Sequence, residues 1–74
     1  MIEKLKTVDV EISDSQIILR EKGQSYIFDF STTSKRLAHS STLERSIWKR
    51  SASGYGIHWP LIDEDISIKA LLVW

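Results

Sequence analysis

Apolar and polar residues alternate along most of the first thirty positions, which is the pattern of strands with one buried face. Val8, Val10 and Ile12 are separated by single acidic residues. A second run at 16–20 and a third run at 25–30 follow after short turn-forming segments, and the aromatic residues of the third run share one face. Two tight connections in succession predict an antiparallel meander of three strands.

The middle of the chain changes to short helical segments. A first helical turn is predicted over 34–39, with Leu37 directed inward. Ser41 predicts the N-cap of a second helix, because a serine hydroxyl accepts a hydrogen bond from the free N–H groups of the first turn. Leu43 and Ile47 then lie one turn apart and form a narrow apolar face.

Extended chain returns after the glycine-rich turn at 53–56. Residues 57–60 are predicted to be extended, since the residue before a proline is kept out of the helical region. Segment 66–72 predicts a final helix, and the acidic residues at 63–65 would stabilise its positive end by roughly 0.3–1 kcal/mol each. We therefore predict an α+β fold, in which a small antiparallel sheet contains the N-terminal meander plus one or two later strands, with short helices on one side.

Length and composition limit the chain to a single domain over 1–74, with no linker. It has 74 residues, of which 42% are apolar, a composition typical of globular proteins. A domain of this size buries only about 60% of its unfolded surface, which favours shallow surface recognition over a deep active site. No apolar run approaches the roughly 18 residues of a membrane span, and the first residues do not resemble a signal peptide. We expect a cytoplasmic protein without membrane contact.

Charge is balanced overall but unevenly distributed. Ten basic and ten acidic residues cancel, which excludes an overall basic shell for nucleic acid. Residues 35–50, however, contain five basic residues and one acidic residue. This basic segment makes a nucleic-acid-binding regulator an alternative function, although Trp48 is its single aromatic residue for base stacking. The candidate contacts are Lys35, Arg36, Arg45, Lys49 and Arg50.

The densest polar cluster surrounds His58. The chain has no cysteine, so neither a thiolate zinc site nor a cysteine nucleophile is available. A metal site would need His58 with two carboxylates, and only His39 could add a second imidazole. Because no pair of ligands has the spacing of a helical site, we expect no metal and no cofactor.

A small nuclease is a less favoured alternative. It would use His58 with Glu64 or Asp65 for general acid–base catalysis, while Arg45 or Lys49 held the phosphate. The structural alternative is that His58 and Trp59 hold an edge strand in place, and that the acidic residues cap a helix and pair with the basic segment. We expect the protein not to be an enzyme.

Two tryptophans are candidates for contact with a partner. Trp59 precedes Pro60, and Trp74 is the last residue of the sequence. Both could instead pack on their own sheet. For Trp74 we favour docking on a partner or in a homo-oligomer. An exposed sheet edge can pair two copies, and such pairing would bury this tryptophan.

Residues 54–67 carry a specific motif, G-x-G-I-H-W-P-x-x-D-E-D-I-S. With this motif the sequence resembles the bacterial family known as domain of unknown function 2442, over nearly the whole chain. The resemblance implies an α+β domain with an antiparallel sheet and short helices. It also implies a small protein encoded beside a second small protein, as in a toxin–antitoxin pair, with this chain in the antitoxin role. Some relatives carry a following helix-turn-helix domain, which we do not expect here.

We therefore expect a non-enzymatic, antitoxin-like interaction module that binds a small toxin-like protein encoded nearby. A tryptophan would supply most of the affinity, and carboxylates would match a basic surface on the partner. The predicted partner-binding residues are His58, Trp59, Asp63, Glu64 and Asp65.

Overall fold

A computed structural model describes residues 8–51 and 54–72, and it confirms the α+β class. The predicted N-terminal meander is present as a three-stranded antiparallel sheet in the order β1-β2-β3. Its strands are β1 (Asp9–Ile12), β2 (Gln16–Glu21) and β3 (Gln24–Asp29). Alternation of side chains within β2 places Ile17 and Leu19 in the core.

A two-residue turn joins β2 to β3. Glu21 pairs with Gln24, so Lys22 and Gly23 form the whole connection. Both turn residues have positive φ, 50° and 80°, which matches the turn type whose twist suits a tight hairpin. The register then runs without a bulge to the end of β3.

Short helices follow the first sheet within the described residues. The predicted turn at 34–39 is confirmed as a helix with Leu37 fully buried, and the predicted N-cap Ser41 is confirmed by a capping box with Glu44. A further turn of helix begins at Phe30, which the sequence pattern assigned to β3. The helices are α1 (Phe30–Thr33), α2 (Lys35–Ala38) and α3 (Thr42–Ser46).

The predicted apolar face of α3 is exposed to solvent. Leu43 is 64% exposed and Ile47 is 42% exposed. Ile47 is also the C-cap, with an extended conformation, so the helix ends before a second turn can form. The i and i+4 pattern was therefore not a sign of core packing here.

The later strands form a sheet of their own, which corrects the prediction of one sheet with one or two added strands. Between β3 and β4 the chain passes through α1, α2 and α3, and the described strands beyond them pair with one another in the order β4-β5-β6. These strands are β4 (Lys49–Arg50), β5 (Gly56–Trp59) and β6 (Glu64–Ser67), and α4 (Ile68–Leu72) follows.

The final helix is shorter than predicted. Ile66 and Ser67 pair with β5 as part of β6, so α4 begins at Ile68 rather than at Ile66. The Ser67 hydroxyl accepts a hydrogen bond from the Ala70 N–H at 3.2 Å and caps the helix. The prediction that residues 63–65 cap this helix was wrong, because these acidic residues lie in the preceding turn and strand.

The core combines residues from both sheets and from the helices. Trp59 is fully buried, and its ring meets Phe30 edge to face at 6.4 Å between centroids. Residues of β2, β5 and three helices therefore share one apolar cluster in the described part of the chain. Its buried members are Val8, Ile17, Leu19, Phe30, Leu37, Ile57, Trp59 and Ile68.

The described helices are short. None of those within 8–51 and 54–72 is long and apolar enough to cross a membrane.

Candidate functional site

The five predicted partner-binding residues lie in one hairpin, but on two different faces. The hairpin consists of β5, the turn at 60–63 and β6, and we call it the motif hairpin (residues 56–67). His58 pairs with Asp65, and Trp59 pairs with Glu64. Because paired residues share a face and successive residues alternate, His58 and Asp65 lie on the outer face while Trp59 and Glu64 lie on the inner face.

Trp59 is a core residue, which corrects its assignment to the partner surface. Its side chain is fully buried. The indole Nε1 donates a hydrogen bond to the main-chain carbonyl of Arg45 at 3.1 Å, so its polar group is satisfied inside the molecule. The predicted contact at Trp74 lies outside the described residues.

Glu64 connects the motif hairpin to α2. Its Oε2 accepts a hydrogen bond from the hydroxyl of Ser34, which is itself only 8% exposed. The same Ser34 oxygen accepts from the N–H of Leu37 at 3.2 Å and caps α2. Glu64 therefore has a structural role that its position in an acidic triplet does not reveal.

The outer face of the second sheet carries a row of three polar side chains. Asp65 Oδ1 lies 2.8 Å from His58 Nδ1, and the two side chains are 75% and 27% exposed. Lys49 pairs with His58 from the other side, so Lys49, His58 and Asp65 form an outer row across β4, β5 and β6. Within the part of the chain that the structure describes, no group bonds to His58 Nε2.

The turn of the motif hairpin presents an apolar and an acidic residue to solvent. Leu61 is 51% exposed, and Asp63 is exposed with a φ of 51°. Arg36 Nη1 donates to the Asp63 carbonyl at 2.9 Å and also lies 3.4 Å from the Ile62 carbonyl, which joins the turn to α2. Sequence reasoning missed Leu61, although an apolar residue directly after Pro60 in a turn was an available signal.

Arg45, a predicted phosphate contact, stabilises the fold instead. Its Nε donates to the Leu37 carbonyl at 3.0 Å and its Nη2 to the Ala38 carbonyl at 2.8 Å, at the C-terminal end of α2. Its Nη1 donates to the Asp14 carbonyl at 2.6 Å, in the loop between β1 and β2. The guanidinium also lies 5.4 Å from the ring centre of Phe30.

The rest of the basic segment is divided between structural and exposed residues. Arg50 is half-buried and donates to the carbonyls of Val8 and Gly54. Lys35 and Lys49 are exposed. Trp48 is half-buried and packs against the core, so it is not a free surface for base stacking. Two of the five predicted nucleic-acid contacts, Arg45 and Arg50, are therefore bonded to main-chain carbonyls of the fold.

One member of each pair of groups proposed for hydrolysis lies beside His58. Asp65 and Lys49 flank it, but Glu64 faces inward and Arg45 is bonded to carbonyls elsewhere. The described residues contain no group of three or more His, Asp or Glu side chains that could hold a metal ion. The outer row is therefore a polar surface that presents an imidazole, a carboxylate and an ammonium group.

Comparison with known proteins identifies a family. The family model described as "Protein of unknown function (DUF2442)" matches residues 3–74, in agreement with the resemblance seen in the motif. No curated protein and no solved structure matches the chain.

Proposed function

The chain belongs to the family described as protein of unknown function DUF2442, and on this premise we propose that it is a non-enzymatic interaction module. Its partner is a small toxin-like protein encoded nearby, and the chain acts as an antitoxin. The observation that carries the proposal is the exposed part of the motif hairpin, where Leu61 and Asp63 lie in the turn and Asp65 lies in β6, all three exposed to solvent.

The chemistry of this surface suits an apolar contact surrounded by charge. Leu61 is 51% exposed, so it can bury further apolar area in a pocket of the partner. Asp63 and Asp65 are exposed, and Asp65 is bonded to an imidazole rather than to a lysine or arginine. The two carboxylates therefore suit a basic surface on the partner.

The motif hairpin is held in place before any partner binds. Arg36 bonds to the turn, Ser34 bonds to Glu64, and the second oxygen of Glu64 accepts from the N–H of Asp65 at 3.1 Å. A surface that is already ordered loses less conformational entropy on binding. The order of the hairpin that carries Leu61 therefore favours recognition.

Charge variants of the motif hairpin test this proposal. Asp63→Asn together with Asp65→Asn removes two negative charges, and asparagine tolerates the positive φ at position 63. We expect this variant to lose at least tenfold in affinity for the neighbouring gene product and to suppress its toxicity less well in cells. The loss should shrink as salt concentration rises.

A matched control makes the same charge change on the first sheet. Asp9 and Asp14 are both exposed and lie outside the motif hairpin, so Asp9→Asn with Asp14→Asn should leave affinity and suppression unchanged. Equal losses in the two double variants would show that only net charge matters. An intact complex with the motif hairpin variant would contradict the proposed surface.

The nucleic-acid-binding alternative has less support. Of the basic segment, Lys35, Arg36 and Lys49 remain exposed, and Arg36 is already bonded to the turn. This function predicts binding that weakens steeply as salt rises and that falls further in Lys35→Ala with Lys49→Ala. Absence of binding to RNA and DNA at low salt would rule it out.

The hydrolase alternative depends on the pair of His58 and Asp65. Asp65 is positioned to orient the imidazole, with Nε2 as the base. It predicts cleavage of RNA or DNA that His58→Ala abolishes while the fold is retained. A wild-type chain that cleaves neither would end this alternative.

A further inference from the structure

β3 is an edge strand without the features that normally prevent pairing. Among the described strands it pairs only with β2, and its register with β2 contains no bulge. The segment Gln24–Asp29 has no proline and no lysine, and its one ionised side chain, Asp29, is at its end. Ile27, in the centre of the strand, is 59% exposed, and Tyr26 is 38% exposed.

The other edge strands are protected by charge. Each of them, within the described residues, carries two ionised side chains, whereas the centre of β3 carries none. These residues are Asp9 and Glu11 in β1, Lys49 and Arg50 in β4, and Glu64 and Asp65 in β6.

The direction of the main-chain groups in β3 follows from one hydrogen bond. The N–H of Phe30 donates to the Ser15 carbonyl at 2.9 Å, which continues the ladder with β2 beyond the end of β3. Bonded and non-bonded pairs alternate in an antiparallel ladder, so even-numbered residues of β3 face β2. The N–H and C=O groups of Ser25, Ile27 and Asp29 therefore point away from β2, in the plane of the sheet and toward its open edge. Consistent with this, the Asp29 carbonyl accepts from the Thr32 hydroxyl at 3.1 Å.

The types of residue in β3 are arranged symmetrically on the two sides of Ile27. Reading outward from it, aromatic residues Tyr26 and Phe28 come first, and polar residues Ser25 and Asp29 come next. In an antiparallel pair of two copies related by a two-fold axis at Ile27, each Ile27 faces the other, Tyr26 faces Phe28, and Ser25 faces Asp29. No two like charges meet in this register, and the inner face stays continuous across both copies because facing residues have the same parity.

We propose that β3 pairs with β3 of a second copy about a two-fold axis at Ile27, which joins the two first sheets into one six-stranded sheet. The outward-pointing N–H and C=O groups of Ser25 and Ile27 and the N–H of Asp29 then form about four N–H···O bonds between the copies. On the outer face, Ile18 and Ile27 of each copy, which are cross-strand neighbours, form one apolar row. This proposal is independent of the motif hairpin, which belongs to the second sheet.

Solution mass and charge at position 27 test the proposal. The wild-type mass, measured by light scattering, should rise from one to two chains of 8.5 kDa with increasing concentration. Ile27→Lys and Ile27→Glu should each stay at one chain mass, because like charges then face each other. Mixing the two variants should restore a dimer, which occurs only if residue 27 faces itself across the axis. Leu43→Lys, at another exposed apolar residue, is the matched control and should behave as wild type.

Amide exchange in the wild-type chain gives a second test that needs no variant. The amides of Ser25 and Ile27 should become protected as concentration rises, while those of Tyr26 and Phe28 are protected at every concentration. A mass of one chain at about 1 mM would overturn the proposal, as would a dimer that survives in Ile27→Lys. Protection of Ser25 and Ile27 that is independent of concentration would also overturn it, because another segment of the same chain would then cover the edge.

Discussion

The indole N–H of Trp59 donates a hydrogen bond to the main-chain carbonyl of Arg45, 3.1 Å away. This bond connects the C-terminal end of β5 to α3, and the Arg45 side chain continues the connection to α2 and to the loop between β1 and β2. The two residues that looked most available for recognition, a tryptophan in a motif and an arginine in a basic segment, therefore stabilise the fold together.

Replacement of Trp59 should mainly reduce stability. Trp59→Ala removes the largest buried side chain, and a loss of about 3–5 kcal/mol is expected for such a change. A domain of this size has little more stability than that in total, so the variant should be largely unfolded. Trp59→Phe keeps an aromatic ring but leaves the Arg45 carbonyl without its donor, and it should lose less. Urea denaturation followed by circular dichroism measures the stability of both variants. A Trp59→Ala variant as stable as wild type would contradict the assignment of Trp59 to the core.

Arg45 should be more sensitive to substitution than the exposed lysines. Arg45→Lys keeps the charge but cannot reach acceptors in both α2 and the β1–β2 loop, so a loss of about 1–3 kcal/mol is expected. Lys35→Ala and Lys49→Ala, at exposed positions, should change stability by less than about 0.5 kcal/mol. Thermal unfolding of the three variants compares them. If Arg45→Lys had the same free energy of unfolding as wild type, the hydrogen bonds of the Arg45 guanidinium would not contribute to stability.

The turn between β2 and β3 should accept a stabilising substitution. Lys22 has a φ of 50°, a conformation that asparagine tolerates better than lysine, and Gly23 follows it. Lys22→Asn should therefore raise the free energy of unfolding by about 0.5–1 kcal/mol. Lys22→Ala removes the same charge, but alanine does not tolerate a positive φ as asparagine does. It therefore serves as the matched control. Equal stabilities of the two variants would show that the backbone conformation at Lys22 is not the cause.

Local features of the fold were predictable from the sequence, and non-local ones were not. The meander, the N-cap at Ser41 and the buried Leu37 depend on short-range patterns and turn chemistry, and the structure confirms them. Residues 65–68 alternate between polar and apolar, but Ile66 and Ser67 also suited the start of a helix. Pairing with β5 decides between the two, and that pairing is a tertiary interaction.

The candidate site shows the same division. The motif placed His58 and Asp65 in one segment, and the structure brings them into contact. Trp59 lies next to His58 in sequence but faces the core, because alternate residues of a strand point to opposite sides. The bonds of Glu64 to Ser34 and of Arg36 to the turn join segments almost thirty residues apart, which residue types alone do not indicate.

The most direct measurement is the dissociation constant for the neighbouring gene product, determined by titration calorimetry with Leu61→Ser and Leu43→Ser. Both wild-type residues are more than half exposed, so neither change should disturb the core. Leu61→Ser should weaken binding at least tenfold, about 1.4 kcal/mol, while Leu43→Ser stays within about twofold of wild type. A Leu61→Ser variant that binds as tightly as wild type would contradict recognition through the motif hairpin.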